Sequence, residues 1–204
     1  MKGLLREGVS ELLSLLLAWA VLSFCFALRW TYDLWSFLLA FAISSLTVGL
    51  GFVLHELSHR EVANRLGCKA EFRLWPTGLV FALALALLTH GDVVFAAPGA
   101  VHIHPLVLAS VFDEKEVRKS FGVISLIGPL TNYALAIAFL ALSFLGFGSL
   151  YAMTCYIGFS VNVWLALFNM LPIPPLDGSK VLNWSKVIWV SVFAIFLVTM
   201  FLPY

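Results

Sequence analysis

The chain has 204 residues, of which 62% are hydrophobic and only 11% charged, and its mean hydropathy is +1.00. That composition excludes a water-soluble globular domain and marks an integral membrane protein. The net charge of +1 hides an uneven distribution, and the densest charged cluster, Asp113–Glu114–Lys115–Glu116–Val117–Arg118–Lys119, mixes signs and implies no nucleic-acid surface.

In chain order, residues 9–28 form the first apolar stretch, about one bilayer thickness in helical rise, with no small-residue cleavage site after it. It is expected to be a retained transmembrane helix. Residues 34–66 give the second span. The apolar piece at Gly78–Leu88 offers roughly 16 Å of helix, too little to cross, so it is expected to turn back or lie against protein. Beyond it, Asp92–Pro105 is rich in β-branched residues around Pro98–Gly99 and is expected to form a hairpin or extended loop, completing a re-entrant segment over about 78–105. Spans over 121–146, 149–171 and 181–202 follow. The expected fold is thus an all-α polytopic membrane protein of about five transmembrane helices plus the re-entrant or β-hairpin segment, with residues 1–204 making one intramembrane domain. Cys25, Cys68 and Cys155 are scattered in apolar sequence and are expected to be packing residues.

Positive charge tests this layout, because cytoplasmic flanks carry the excess of Lys and Arg. With five spans and the N-terminus inside, Lys2, Arg6, Arg60, Arg65, Lys69, Arg73, Lys115, Arg118, Lys119, Lys180 and Lys186 all face the cytoplasm, and only Arg29 lies outside. Making Gly78–Leu88 a true span would divide the 12 positive residues evenly. The five-span layout is therefore preferred.

His55–Glu56–Leu57–Ser58–His59 is an HExxH pattern. On a helix the i and i+4 spacing puts both imidazoles on one face, within reach of one metal ion, and leaves Glu56 placed to take a proton from metal-bound water. By itself the pattern recurs by chance. Here it follows about twenty apolar residues, where unpaired ionisable groups cost several kcal/mol. A zinc site for hydrolysis takes three protein ligands, so a third is needed. Asp177 is a candidate: the prolines of Asn169–Met170–Leu171–Pro172–Ile173–Pro174–Pro175–Leu176–Asp177–Gly178 end the fourth span and stiffen a loop that can aim it inward. His55 comes about 21 residues into the second span and Asn169 about 19 into the fourth, and both spans run from outside to inside. The two motifs should therefore arrive at a similar depth near the cytoplasmic side.

These motifs, with Gly128–Pro129–Leu130–Thr131–Asn132, resemble those of the site-2 protease family of intramembrane metalloproteases, especially compact archaeal-type members that lack an accessory soluble domain. The resemblance spans roughly Leu46 to Lys180. It implies one zinc ion held by His55, His59 and Asp177, water activated by Glu56, and Asn169 beside the scissile carbonyl as an oxyanion donor. It also implies a transmembrane protein as substrate, cut within the lipid bilayer of the cell membrane, usually after a first cut outside it.

Other readings stand beside these. Asn169 could instead end its helix by bonding nearby backbone, and Asn132 is expected to bond across helices or repair the backbone opened by Pro129. His90, His102 and His104 suggest a second metal site, but the i, i+2 spacing of the last two suits one face of a strand in a structural role. The competing function is a non-proteolytic metal-binding membrane protein, either a transporter or a homologue that binds transmembrane helices without cutting them. A transporter would string ligands along several spans, and a non-cutting binder would have no need of Glu56.

Overall fold

A computed structural model describes residues 2–30, 33–94, 98–104 and 113–201. Helix α1, Lys2–Ala27, runs into a 3-10 turn at Leu28–Trp30. Asp33 then starts α2, Leu34–Ser44, by accepting hydrogen bonds from the amides of Trp35 at 2.8 Å and Ser36 at 3.0 Å, which would otherwise be orphaned at the helix end. A π-helical turn at Ser45–Gly49 joins α2 to α3, Leu50–Arg65, so the chain from Leu34 to Arg65 is one helical rod of 32 residues. Strand β1, Lys69–Leu74, helix α4, Pro76–Leu88, and strand β2, Gly99–His104, follow. Asp113 caps α5, Glu114–Ser143, by accepting from the amide of Glu116 at 2.8 Å. Helices α6, Ser149–Asn169, α7, Asp177–Trp184, and α8, Lys186–Met200, complete the described chain.

Among the described residues, four helices are long and apolar enough to cross a membrane: Ser10–Ala27, Leu34–Arg65, Glu114–Ser143 and Ser149–Asn169. The chain is an all-α polytopic membrane protein with little sheet. One expected span differs. Residues 181–202 do not form one helix, because Ser185 takes an extended conformation and its hydroxyl caps α8 by accepting from the amide of Ile188 at 3.3 Å. Serine favours a cap over a helix interior, and α8 is left as a mostly apolar helix of 15 residues. As expected, Pro76–Leu88 is a helix too short to cross. The strand pairing is not the one expected within 92–105. Instead β2 pairs with β1 in a two-stranded sheet. In β1, charged Lys69, Glu71 and Arg73 alternate with Ala70, Phe72 and Leu74, and Ala70 and Phe72 are buried. Phe95–Ala97 and Pro105 lie outside the described residues.

The backbone divides into two compact units, one of Met1–Val53 with Glu71–His102, the other of Leu54–Ala70 with Ile103–Tyr204. In the first, Ala18, Leu22, Cys25 and Ala27 of α1 are fully buried, and Trp19 donates its indole N–H to the Ser45 carbonyl in the π-turn at 3.1 Å. Gly49 lets that indole approach, since a Cβ there would fall on the ring. Glu11 accepts from the Phe72 amide at 2.9 Å and so ties α1 to β1.

The second unit packs α5, α6, α7 and α8 around Ala166, Met170, Val181 and Phe196. Tyr133 stacks on Phe196 at 4.7 Å and its hydroxyl meets Thr199 Oγ1 at 3.0 Å. Between apolar helices in lipid, close packing and polar bonds replace the hydrophobic effect as the source of association. Gly158 fits that rule: it faces the Phe139 ring so closely that a Cβ would overlap it. All three cysteines are free and buried, as packing residues should be.

Candidate metal centre

His55 and His59 lie one turn apart on α3, the spacing that stacks their side chains on one face. Their Nε2 atoms are 2.9 Å apart. Asp177, the first residue of α7, brings Oδ2 to 3.2 Å from Nε2 of His55 and 3.0 Å from Nε2 of His59. All three residues are buried, as is Glu56 between the histidines.

The far side of each ring is held. Nδ1 of His59 lies 2.6 Å from the Ile124 carbonyl on α5, and a carbonyl can only accept, so Nδ1 carries the hydrogen. Nδ1 of His55 lies 2.6 Å from Oδ1 of Asn132, also on α5. Asn132 in turn donates to Oδ1 of Asn162 on α6 at 3.1 Å, and Asn162 donates to the Gly158 carbonyl at 2.9 Å. With hydrogen on both Nδ1 atoms, Nε2 of His55, Nε2 of His59 and Oδ2 of Asp177 are three lone-pair atoms turned on one another. Left alone they repel; a cation among them turns repulsion into coordination. Tetrahedral ligation at about 2.0–2.1 Å separates ligand atoms by about 3.3 Å, close to the spacing seen here. Among the described residues, these three side chains are the group of His, Cys, Asp and Glu able to hold a metal ion. Two imidazoles and one carboxylate suit zinc.

Glycine makes room for this arrangement. A Cβ at Gly128 of α5 would fall on Nε2 of both histidines, so the Gly128–Pro129 step is where α5 can lie against the ligands. The arm bearing Asp177 is equally confined. Gly178 sits against the Met170 carbonyl, which also accepts the indole N–H of Trp189 at 2.8 Å. The amide of Leu176 donates to the Ile173 carbonyl at 2.9 Å. Burial alone would raise the Asp177 carboxyl, but once His59 and His55 are protonated their charge and N–H groups replace the lone-pair repulsion, outweigh burial and hold the carboxyl well below the usual carboxylate range.

Of the residues singled out in the sequence, His55, His59 and Asp177 converge and Glu56 is buried within the same HExxH turn. Asn169 ends α6 with its side-chain nitrogen donating to the Leu165 carbonyl at 3.0 Å, the helix-ending bond. Asn132 does bond across helices, to α3 and to α6. His102 lies on β2 and is exposed. Gly128 is already part of the Gly128–Asn132 stretch that carries the family resemblance, but its contact with the histidines is visible only in the structure. Asn162 was not singled out, although a polar amide in the middle of an apolar span is a readable signal.

No family model and no solved structure matches the chain. Two curated proteins do, each named a putative zinc metalloprotease. One, from Methanocaldococcus jannaschii, is 40% identical over 191 residues, 93% of this chain and 92% of its own. The other, from Bacillus subtilis, is 28% identical over 158 residues, 68% of this chain and 66% of its own. The first similarity covers nearly the whole of both chains, and the chain belongs to this family of zinc metalloproteases.

Proposed function

We propose that the protein is an intramembrane protease of the site-2 type, hydrolysing peptide bonds within or near transmembrane segments of other membrane proteins. The observation that carries this reading is the convergence of Nε2 of His55, Nε2 of His59 and Oδ2 of Asp177, 2.9–3.2 Å apart, beside a buried glutamate and at the end of an apolar helix.

One zinc ion per chain would be held by His55, His59 and Asp177. When bound, it supplies Lewis acidity, lowering the pKa of water towards about 7 and polarising the scissile carbonyl. Glu56 takes the proton from the attacking water and returns it to the leaving amine. Asn169 spends one amide hydrogen on Leu165 and keeps a second, which is available to the carbonyl oxygen as it gains charge. Burial of the four polar side chains keeps bulk water away and strengthens each of these interactions.

The distribution of Lys and Arg supports a cytoplasmic N-terminus and a centre near the cytoplasmic side of the cell membrane. The partner is then a transmembrane protein substrate reached through the lipid bilayer. The test combines zinc content with cleavage of a membrane-embedded substrate by parent and Glu56→Gln. Both proteins should bind zinc, and cleavage should fall by about 10²- to 10⁴-fold in the variant, the usual worth of a general base. Bound zinc with no cleavage that depends on Glu56 would favour the non-proteolytic reading.

A further inference from the structure

We propose that a cleft between α5 and α7 binds the headgroup of an anionic phospholipid, with Arg118, Lys180 and Asn183 holding its phosphodiester beside the ring of Phe121. Binding there requires neither zinc nor peptide hydrolysis, so it stands or falls apart from the proposed activity.

The cleft comes from one close crossing. Gly122 of α5 lies against Trp184, the last residue of α7, with no room for a Cβ between them. Arg118 lies one turn before Gly122, and Lys180 one turn before Trp184. At i, i+3 spacing Arg118 and Phe121 share one side of α5, and Lys180 and Asn183 share one side of α7. Among the described residues these four line a cavity of about 420 Å³. Small-molecule sites run from about 300 to 1,000 Å³, so the cleft has room for a phosphodiester with its glycerol.

Its chemistry selects an anion. Arg118 offers a planar fork of N–H donors, Lys180 a point charge and Asn183 an amide donor. Among the described residues no carboxylate pairs with Arg118. Lys180 faces one, since its Nζ is 3.7 Å from Oδ1 of Asp177. That separation is too long for a hydrogen bond, and Oδ2 of the same carboxylate is turned to the histidines. The ammonium keeps its donors for a second anion.

Depth selects a lipid. On α5 the charged turn at 113–119 gives way to apolar residues at Phe121, and α8 passes from Lys186 to apolar residues at Val187. The cleft lies where these two boundaries meet, the level of the headgroups in a bilayer, where an amphipathic ring such as Trp184 is at home. Free phosphate would leave the Phe121 ring uncovered, whereas a lipid lays its glycerol and first methylenes against it. Basic pockets between membrane helices suit anionic headgroups for the same reasons.

The test incubates the full chain in detergent micelles with equal amounts of phosphatidylglycerol and phosphatidylcholine and counts bound lipid by native mass spectrometry. Both lipids carry the phosphodiester, but choline cancels its charge. The parent should retain phosphatidylglycerol in preference. Arg118→Gln should weaken that retention about 10- to 100-fold, the worth of hydrogen bonds to a charged group. Asn183→Leu should weaken it about 5- to 10-fold with no change in net charge. Lys119→Gln, at a position outside the lining residues, should cost no more than about 5-fold, the effect of one charge near an anionic surface. Arg118, Lys119 and Asn183 are all exposed, so none of these variants empties the core.

Equal retention of the two lipids by the parent would overturn the assignment. So would equal losses in Arg118→Gln and Lys119→Gln, which reduce the effect to surface charge, or parental binding by Asn183→Leu. Millimolar inorganic phosphate should leave the lipid in place; its displacement would make the cleft a site for free phosphate and overturn the lipid as occupant.

Discussion

The α-carbon of Gly128 faces Nε2 of His59 with no room for a methyl group between them. Gly128→Ala must push the imidazole aside or move α5 away from α3. Overpacking of this kind costs about 1–3 kcal/mol. We expect a lower melting temperature and substoichiometric zinc in purified Gly128→Ala, measured by thermal unfolding and elemental analysis. A full complement of zinc at the parent's melting temperature would contradict this.

Trp189 anchors the far end of the Asp177 arm through Met170. Trp189→Phe keeps an aromatic ring for the stack with Phe193, at 5.0 Å in the parent, and deletes the donor to the Met170 carbonyl. The loss should be about 1 kcal/mol, the net worth of a typical hydrogen bond. Chemical unfolding in micelles checks it, and a variant as stable as the parent would show that the bond contributes nothing.

Acid should reveal Asp177 in the metal-free protein. A carboxyl whose pKa is lower in the folded state than in the unfolded state stabilises the fold above its unfolded value of about 3.9; that stabilisation is lost as pH falls below it towards the folded value. Metal-free parent should lose stability steadily from about pH 4 downward. Asp177→Asn should lose less over the same range, and parallel pH profiles would exclude the carboxylate as the cause.

Substrate choice should follow helix stability. A transmembrane helix hides its carbonyls in internal hydrogen bonds, so attack requires local unwinding, which Gly, Pro or Asn near the cut favours. Replacing such residues in a cleaved substrate with leucine should slow cleavage. Undiminished cleavage of the stiffened helix would mean that unwinding does not limit the reaction.

The candidate metal centre was legible because the residues that could hold an ion violate their surroundings. His55, Glu56 and His59 interrupt an apolar run, and Asp177 follows prolines that can only stiffen a turn. The four long helices were legible for the converse reason, their unbroken hydropathy. The break at Ser185 was not, because one serine in an apolar stretch reads equally as a tolerated interior residue or a cap, and tertiary packing decides. The β1–β2 pairing eluded the sequence because strand partners are chosen by position in space, although the alternation in Lys69–Leu74 already carried a strand's period. Asn169 shows the limit from the other side: its type and place suit an oxyanion donor, while the bond to Leu165 serves the helix end.

The two histidines also differ in how they would behave under mutation. The acceptor that orients His59 is the main-chain oxygen of Ile124, and changing a side chain leaves a carbonyl where it is. The acceptor that orients His55 is the side chain of Asn132, which a single codon change removes. A random screen for loss of function should therefore collect hits at 132 but none at 124 that act through His59. An alignment of relatives would under-report the support of one ligand for the same reason, since a partner contributed by the backbone leaves no mark in the genetic record.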